Sequence, residues 1–496
     1  VFKKILIANR GEIAIRVART CRELGIRTVA VYSDADESSP HLDAADEAVR
    51  IGPPQAAASY LHTEALLDAA RRTGAEAIHP GYGFLSENPT FAQLVRDAGL
   101  TFIGPSPESL AAVGNKVFAR QTVAKLGVPV VPAVEQPSSD PTVLREQVRA
   151  LGYPLLIKAA AGGGGKGMRI VHHERELAEA LAAAEREATA AFAEGTVYLE
   201  RYLERPRHIE VQILGDTHGS LIHLGERECS IQRRYQKIVE ETPSPAVSAQ
   251  LREAITAAAL KVAKAAGYYN AGTVEFILDS QGHFYFLEVN ARLQVEHPIT
   301  EWVTGLDLVR EQIRIAWGER LGVRQDDVQN RGHAIECRLY AEDPAHGFFP
   351  SPGKILLWHA PSGPGVRVDA GVETHSDVPV YYDPLMAKIS TWGQEREQAR
   401  RRMANALRQC VVLGPTSNLS FLIDLIEHPA FIAAETHTGF LSEHFSHWQR
   451  RGQPHTLTAV LAAALHSTLR DQRATPSPHA QRSTPWQTLG GWRIGS

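Results

Sequence analysis

Residues 271–298 read AGTVEFILDSQGHFYFLEVNARLQVEHP. Two runs rich in β-branched and aromatic residues flank Asp279-Ser280-Gln281-Gly282, which has the composition of a turn. A hairpin closed on those four residues places Glu275 opposite Phe286, with Glu288 two residues further along on the same face. Diagonal neighbours on one face of a sheet lie roughly 7–8 Å apart at the backbone, within reach of long side chains. Asn290 follows Glu288 with period 2 and points the same way. Carboxylates and an amide so arranged suit Mg²⁺, which takes a few protein oxygens and completes its shell with water and phosphate. A pair of solvated strand acids fits the same pattern, and a slip of one residue would turn each side chain to the opposite face.

Just beyond the second run, Arg292, Gln294, Glu296, His297 and Pro298 crowd polar groups into a short stretch. Glu296 is a candidate general base and Arg292 a candidate anion clamp. A salt-bridged turn is the plain alternative.

A second stretch, KAAAGGGGKGMR at 158–169, follows an apolar strand. It is not a Walker loop, because Gly167 and not Ser or Thr follows Lys166. Bare backbone lets amides approach phosphate oxygens closely. A mobile lid over a nucleotide triphosphate is one reading and a flexible surface loop the other. Upstream of the hairpin, PRHIEVQIL alternates Ile209, Val211 and Ile213 with His208, Glu210 and Gln212. CSIQRRYQK is expected to gather Gln232, Arg233, Arg234 and Lys237 in one loop, either an exposed basic turn or a small-anion site.

The 496-residue length suggests about three domains. A net charge of −4 gives no basic field for nucleic acid. Cys21, Cys229, Cys337 and Cys410 are scattered without a CxxC pair, which disfavours a zinc ribbon or disulfide scaffold and suits a reducing compartment. No apolar run reaches the length of a membrane span. The strand pattern begins at Phe2, leaving no space for a signal or transit peptide, and Val1 suggests a trimmed or processed start. These features together favour a cytoplasmic protein, or one of the mitochondrial matrix in a eukaryote.

Strand, helix and strand alternate from residue 4 onward, so 1–113 is expected to be an open parallel α/β domain. From 114 to 330 longer alternating strands take over, with a lid lobe at about 131–203; 331–446 mixes short strands and helices as an α+β domain. After 446 come a helix at 456–470 and a linker rich in Pro, Ser, His and Thr at 474–485.

The order ANRGEIAIR, HPGYGFLSEN, GNK, KAAAGGGGKGMR, CSIQRRYQK, EVNARLQVEHPITE, ECRLYAEDP and SPGKI resembles the biotin carboxylase family of the ATP-grasp superfamily over residues 2 to about 446. The resemblance implies a central ATP-grasp domain with the glycine loop as lid. Lys116, Lys158 and His208 then contact ATP phosphates, and Gly162, Gly163, Gly164, Gly165, Lys166, Gly167 and Met168 form the lid over the nucleotide. Glu200 and Leu203 match adenine contacts, and Gln232 joins the ATP site. Glu275 and Glu288 match ligands of Mg²⁺ (or Mn²⁺), with Asn290 beside them. Glu296 matches the base that deprotonates bicarbonate. Lys237, Arg292, Gln294 and the Val295 amide match its anion contacts. Arg338 matches the partner of biotin's ureido oxygen, and Tyr82 and Gly83 look like part of the biotin pocket.

The implied activity is ATP-dependent carboxylation of biotin through carboxyphosphate, the first half-reaction of a methylcrotonyl-, propionyl- or acetyl-CoA type carboxylase. Biotin attachment in such proteins needs Met-Lys-Met, and Met168, Met386 and Met403 flank no lysine that way. Biotin is therefore expected on a carrier domain or protein, with a carboxyltransferase subunit as second partner. A homodimer is also implied, since Arg19 and Glu23 match family interface positions. Tyr235 departs from the His or Asn often found in the family. Residues 447–496, ending SPHAQRSTPWQTLGGWRIGS, resemble the entry to the docking domain of long α subunits, truncated here.

Overall fold

The computed structural model describes the chain except residues 115, 135, 139, 160–167, 193–194, 451–460, 463–464 and 466–496; for 116–119, 141 and 191–192 it describes the backbone alone. Val1–Trp448 is one compact unit and Gln449–Ser496 a second. Most of the second, including nearly all of the helix expected at 456–470, lies outside the described residues.

The chain opens with a parallel sheet of β1 (Lys4–Ile7), β2 (Arg27–Ser33), β3 (Glu47–Gly52), β4 (Ala77–His79) and β5 (Thr101–Phe102), ordered β3-β2-β1-β4-β5. The first crossover is α1 (Gly11–Glu23), whose Ile13, Ala14, Val17, Ala18 and Cys21 recur at helical spacing and are all buried. This is the open parallel α/β arrangement expected from the sequence.

The lid lobe has a sheet of its own, β6 (Ala133–Val134), β7 (Leu155–Ala159), β8 (Arg169–Val171) and β9 (Val197–Arg201), ordered β6-β9-β7-β8 and antiparallel throughout. The helix Glu174–Phe192 covers it, and Leu155, Ile157, Val171, Leu177, Leu181 and Leu199 make a separate small core.

The largest sheet is antiparallel with eight strands. In chain order they are β10 (Arg207–Gly215), β11 (Leu221–Arg233), β12 (Gln236–Thr242), β13 (Asn270–Leu278), β14 (Phe284–Asn290), β15 (His333–Tyr340), β16 (Val366–Ala370) and β17 (Leu385–Gly393). In space the order is β14-β13-β10-β11-β12-β15-β17-β16. The sheet runs across residue 331, because β12 pairs directly with β15.

Three local expectations change. The loop between β13 and β14 is one residue longer than expected, since Leu278 pairs with Phe284. A register shift between Glu275 and Phe276 then leaves Leu287 as an extra residue, so Glu275 pairs with Glu288 and not with Phe286. CSIQRRYQK is not a loop: β11 runs to Arg233 and β12 starts at Gln236, joined through Arg234 (φ 47°) and Tyr235 (φ 67°). Two left-handed residues are what a tight hairpin turn demands, and Arg234 and Tyr235 meet that demand without the Gly or Asn that usually marks such a turn. His297–Thr304 is a further helix, with Pro298 in its first turn and Gly305 (φ 73°) ending it.

Candidate active site

The register of four neighbouring strands builds the site. Arg227 on β11 pairs with Glu210 on β10, Glu210 with Glu275 on β13, and Glu275 with Glu288 on β14. One cation and three acids therefore line up across the sheet at the inter-strand spacing of about 4.8 Å. The His208-Glu210-Gln212 face of PRHIEVQIL is thus buried. Arg227 is wholly buried and bonds Glu210 (2.5 Å), Gln212 (2.7 Å), Thr300 (2.8 Å) and Thr273 (3.2 Å). Such saturation compensates the cost of burying a guanidinium.

Lys237, from the start of β12, reaches over this row. Its Nζ donates to Glu210 at 2.5 Å, Glu275 at 2.8 Å and Glu296 at 2.7 Å. Glu296 is 0 % exposed. Its other oxygen accepts from Arg338 Nη2 at 2.8 Å, while Arg338 Nε donates to Glu240 at 2.6 Å. Burial alone would raise the Glu296 carboxyl, but Lys237, Arg338 and Arg227 outweigh it and hold it well below the usual range. Glu275 is likewise held low against burial, by Lys237 and His208. Glu240, desolvated and beside Glu296, is pushed up to about 7 despite Arg338. Burial lowers the Lys237 ammonium, yet its three carboxylates drive it well above the ordinary value. The site thus holds ionised Glu275 and Glu296 under a permanent cation.

Asn290 Nδ2 donates to Glu275 at 2.7 Å, and His208 Nε2 lies 3.0 Å from the other Glu275 oxygen. His208, Glu210 and Glu275 bring three potential ligand atoms within 4.8 Å of one another. Gln232 contacts the His208 Nδ1 atom at 2.7 Å. Hard oxygen donors dominate this corner, and with Glu288 directly opposite Glu275 they fit Mg²⁺.

The 290–297 segment closes the other side. Arg292 donates to Glu87 (2.9 Å), Gln294 (3.1 Å) and Asn290 (3.3 Å). Gln294 Nε2 is buried and has no hydrogen-bond partner among the described residues. Tyr82 sits on a loop shaped by Gly81 (φ 63°) and Gly83 (φ 70°). A Cβ at Gly81 would come within 2.9 Å of the Asn9 amide nitrogen, which ties the Pro80 and Tyr82 carbonyls.

On the lid side, Lys158 pairs with Glu200 at 2.8 Å, and Arg120 donates to the other Glu200 oxygen at 2.6 Å. Leu203 follows β9 and is half-buried, as is Met168 just before β8. Gly162, Gly163, Gly164, Gly165, Lys166 and Gly167 lie outside the described residues, as does the Lys116 side chain.

Sequence reasoning assigns no role in the site to Glu210, Arg227, Glu240 or Glu87. A signal for Arg227 exists: Glu226-Arg227-Glu228 interrupts a β-strand whose neighbours are apolar, which marks buried ion pairs. Glu87 has only its place in the HPGYGFLSEN stretch.

Three family models match the chain: "Biotin carboxylase, N-terminal domain" over 1–110, "Carbamoyl-phosphate synthase L chain, ATP binding domain" over 115–324, and "Biotin carboxylase C-terminal domain" over 336–443. Biotin carboxylase of Nostoc sp. is 52% identical over 442 residues, 89% of this chain and 99% of that protein. The mitochondrial methylcrotonoyl-CoA carboxylase subunit alpha of Dictyostelium discoideum is 46% identical over 495 residues, 99% of this chain and 70% of that one. Among solved structures, the biotin carboxylase domain dimer of Hydrogenobacter thermophilus 2-oxoglutarate carboxylase, in complex with MgADP, ADP and bicarbonate, superposes with a TM-score of 0.86 at 45% identity, covering 91% of this chain and 99% of that chain.

Proposed function

This chain belongs to the biotin carboxylase family, and from that premise we propose how its residues carry out the ATP- and magnesium-dependent carboxylation of biotin by bicarbonate. The observation that carries the proposal is Glu296, a buried carboxylate gripped on one oxygen by Lys237 and on the other by Arg338.

Bicarbonate is a poor nucleophile until it loses its proton. Glu296, held ionised, takes that proton. Lys237 and Arg292 offset the charge of the resulting dianion, and Gln294 and the Val295 amide orient it. Its oxygen attacks the terminal phosphorus of ATP, the bond from that phosphorus to ADP breaks, and carboxyphosphate forms. Glu275 and Glu288, with Asn290, would hold Mg²⁺, whose charge neutralises the phosphate oxygens. Lys116, Lys158, His208 and the glycine lid bind the phosphates, with Glu200, Leu203, Gln232 and Met168 around the remainder of the nucleotide.

Carboxyphosphate then breaks into CO₂ and phosphate. The phosphate accepts the ureido proton of biotin, and the freed nitrogen attacks CO₂. Arg338 stabilises the negative charge on the ureido oxygen, and Tyr82 and Gly83 shape the biotin pocket. Fixed cations of this kind are worth roughly 10²–10³ in rate each.

Biotin arrives on a separate carrier domain or protein, and a carboxyltransferase subunit uses the product. Alignment with methylcrotonoyl-CoA carboxylase α subunits over 99% of the chain supports an acyl-CoA acceptor, and supports reading 447–496 as the approach to a further domain. The homodimer is proposed from the dimeric Hydrogenobacter relative. Among the described residues no helix is long and apolar enough to cross a membrane.

The test is ATP hydrolysis by the purified chain. It should require bicarbonate and rise with free biotin. Hydrolysis indifferent to bicarbonate would reassign the site to an ATP-grasp ligase that activates another carboxylate.

A further inference from the structure

Lys388, on β17, is 1 % exposed and has no part in the mechanism above. Its Nζ donates to the Val295 carbonyl at 2.7 Å and lies 3.2 Å from Glu12 Oε1. Glu12, in the first turn of α1 and itself buried, accepts a hydrogen bond from the Tyr82 hydroxyl. The Tyr82 ring centroid is 6.0 Å from the same ammonium. One buried cation from the third matched segment thus touches the Val295 turn of the second and, through Glu12, the Tyr82 loop of the first.

We propose that Lys388 is a positioning residue that sets the bicarbonate and biotin contacts relative to each other. A buried ammonium is costly to desolvate, and an aliphatic side chain would fill the same place on the strand without that cost. What the ammonium adds is direction. The 294–297 turn is held at three successive points: His297 Nδ1 on the Gln294 carbonyl at 2.7 Å, Lys388 on the Val295 carbonyl, and Lys237 with Arg338 on the Glu296 carboxylate. The peptide unit is planar, so fixing the Val295 carbonyl fixes the plane that leads into Glu296. The Val295 amide, the proposed bicarbonate donor, lies in the preceding unit, whose Gln294 carbonyl His297 holds; with the Val295 carbonyl held by Lys388 as well, the planes on both sides of the Val295 Cα are set. The contact through Glu12 gives the Tyr82 hydroxyl the same anchor, so the two subsites keep one spacing.

The inference rests on the assignments of Val295 and Tyr82 proposed above, and the experiment separates the two. The native chain and Lys388→Met are compared for the half-saturating concentrations of bicarbonate, free biotin and ATP. Lys388→Met strands Glu12 as a buried unpaired acid, so Lys388→Met/Glu12→Gln, which removes both charges, is measured beside it with thermal melts of each. Loss of a charge-assisted hydrogen bond should raise the values for bicarbonate and biotin at least about tenfold in any variant that folds, with that for ATP within about twofold of native. Native half-saturation in a folded variant, or an equal loss for all three substrates, overturns the inference. So does a double variant that does not fold, which would assign the lysine to stability alone. Native ATP hydrolysis without any bicarbonate requirement would instead remove the underlying assignment.

Discussion

Glu275 and Glu288 stand directly opposite each other on neighbouring antiparallel strands, because β14 carries one residue more than a regular ladder would hold. The bulge at Leu287 is what brings the second acid level with the first. Bulges recur where a strand must re-aim a side chain, and here the re-aimed side chain completes a row of acids.

In the metal site proposed above, the direct pair makes Glu288 the partner of Glu275. Glu288→Gln keeps the volume and removes one charge. The magnesium concentration for half-maximal turnover should rise by about tenfold or more, as for loss of one charged ligand interaction. Titration of Mg²⁺ at saturating ATP and bicarbonate measures it. An unchanged magnesium curve would place Glu288 outside the metal site.

Glu296 is held by a cation on each of its oxygens, and its loss should be the most specific. Glu296→Gln is predicted to lower bicarbonate-dependent ATP cleavage by about 10²–10⁴, the usual contribution of a positioned base. Single-turnover ADP release reads this directly. A rate within tenfold of native would show that another group takes the proton.

The nucleotide end allows a different split. Lys158 is bound to Glu200 at 2.8 Å, and in the proposed site phosphate draws it away from that standing ion pair. Lys158→Gln should raise half-saturation for ATP by roughly tenfold while leaving that for bicarbonate near native, because one lost phosphate contact is uniform binding energy. A change in the bicarbonate value of the same size would argue against a phosphate role.

Much of this site is legible in the sequence, for identifiable reasons. Glu275, Glu288 and Asn290 share a face through strand periodicity, and that inference survives the wrong register because the longer loop and the bulge together move the pairing by two residues. The 292–298 crowding marks a site because few cores tolerate so many polar groups. What the sequence hides is geometry set by long-range pairing. Nothing local tells that Glu210 lies between Arg227 and Glu275, since those three strands meet only in the sheet. Nor does the pattern around Lys388 distinguish a buried ammonium from a solvated one. The hairpin at Arg234-Tyr235 is invisible because its left-handed residues are neither Gly nor Asn.

The last prediction concerns the joint where β12 meets β15. Glu241 is buried, with His333 Nε2 at 2.8 Å and Arg396 Nε at 2.7 Å. Burial opposes its charge, but the bond to His333 and the Arg396 guanidinium prevail and hold the carboxyl down at about 2, against an ordinary 4.5. A carboxyl lowered by folding contributes stability in full above its unfolded pKa, and the contribution drains away as pH falls through the folded one. It should be on the order of 3 kcal/mol at neutral pH and shrink below about pH 4.5. Urea midpoints of the native chain and Glu241→Gln, compared from pH 7 down to the lowest pH at which both fold, check the sign. The variant should be the less stable at pH 7, and the gap should narrow on acidification. A gap that stays constant or widens would mean that the stabilising charge is not on Glu241.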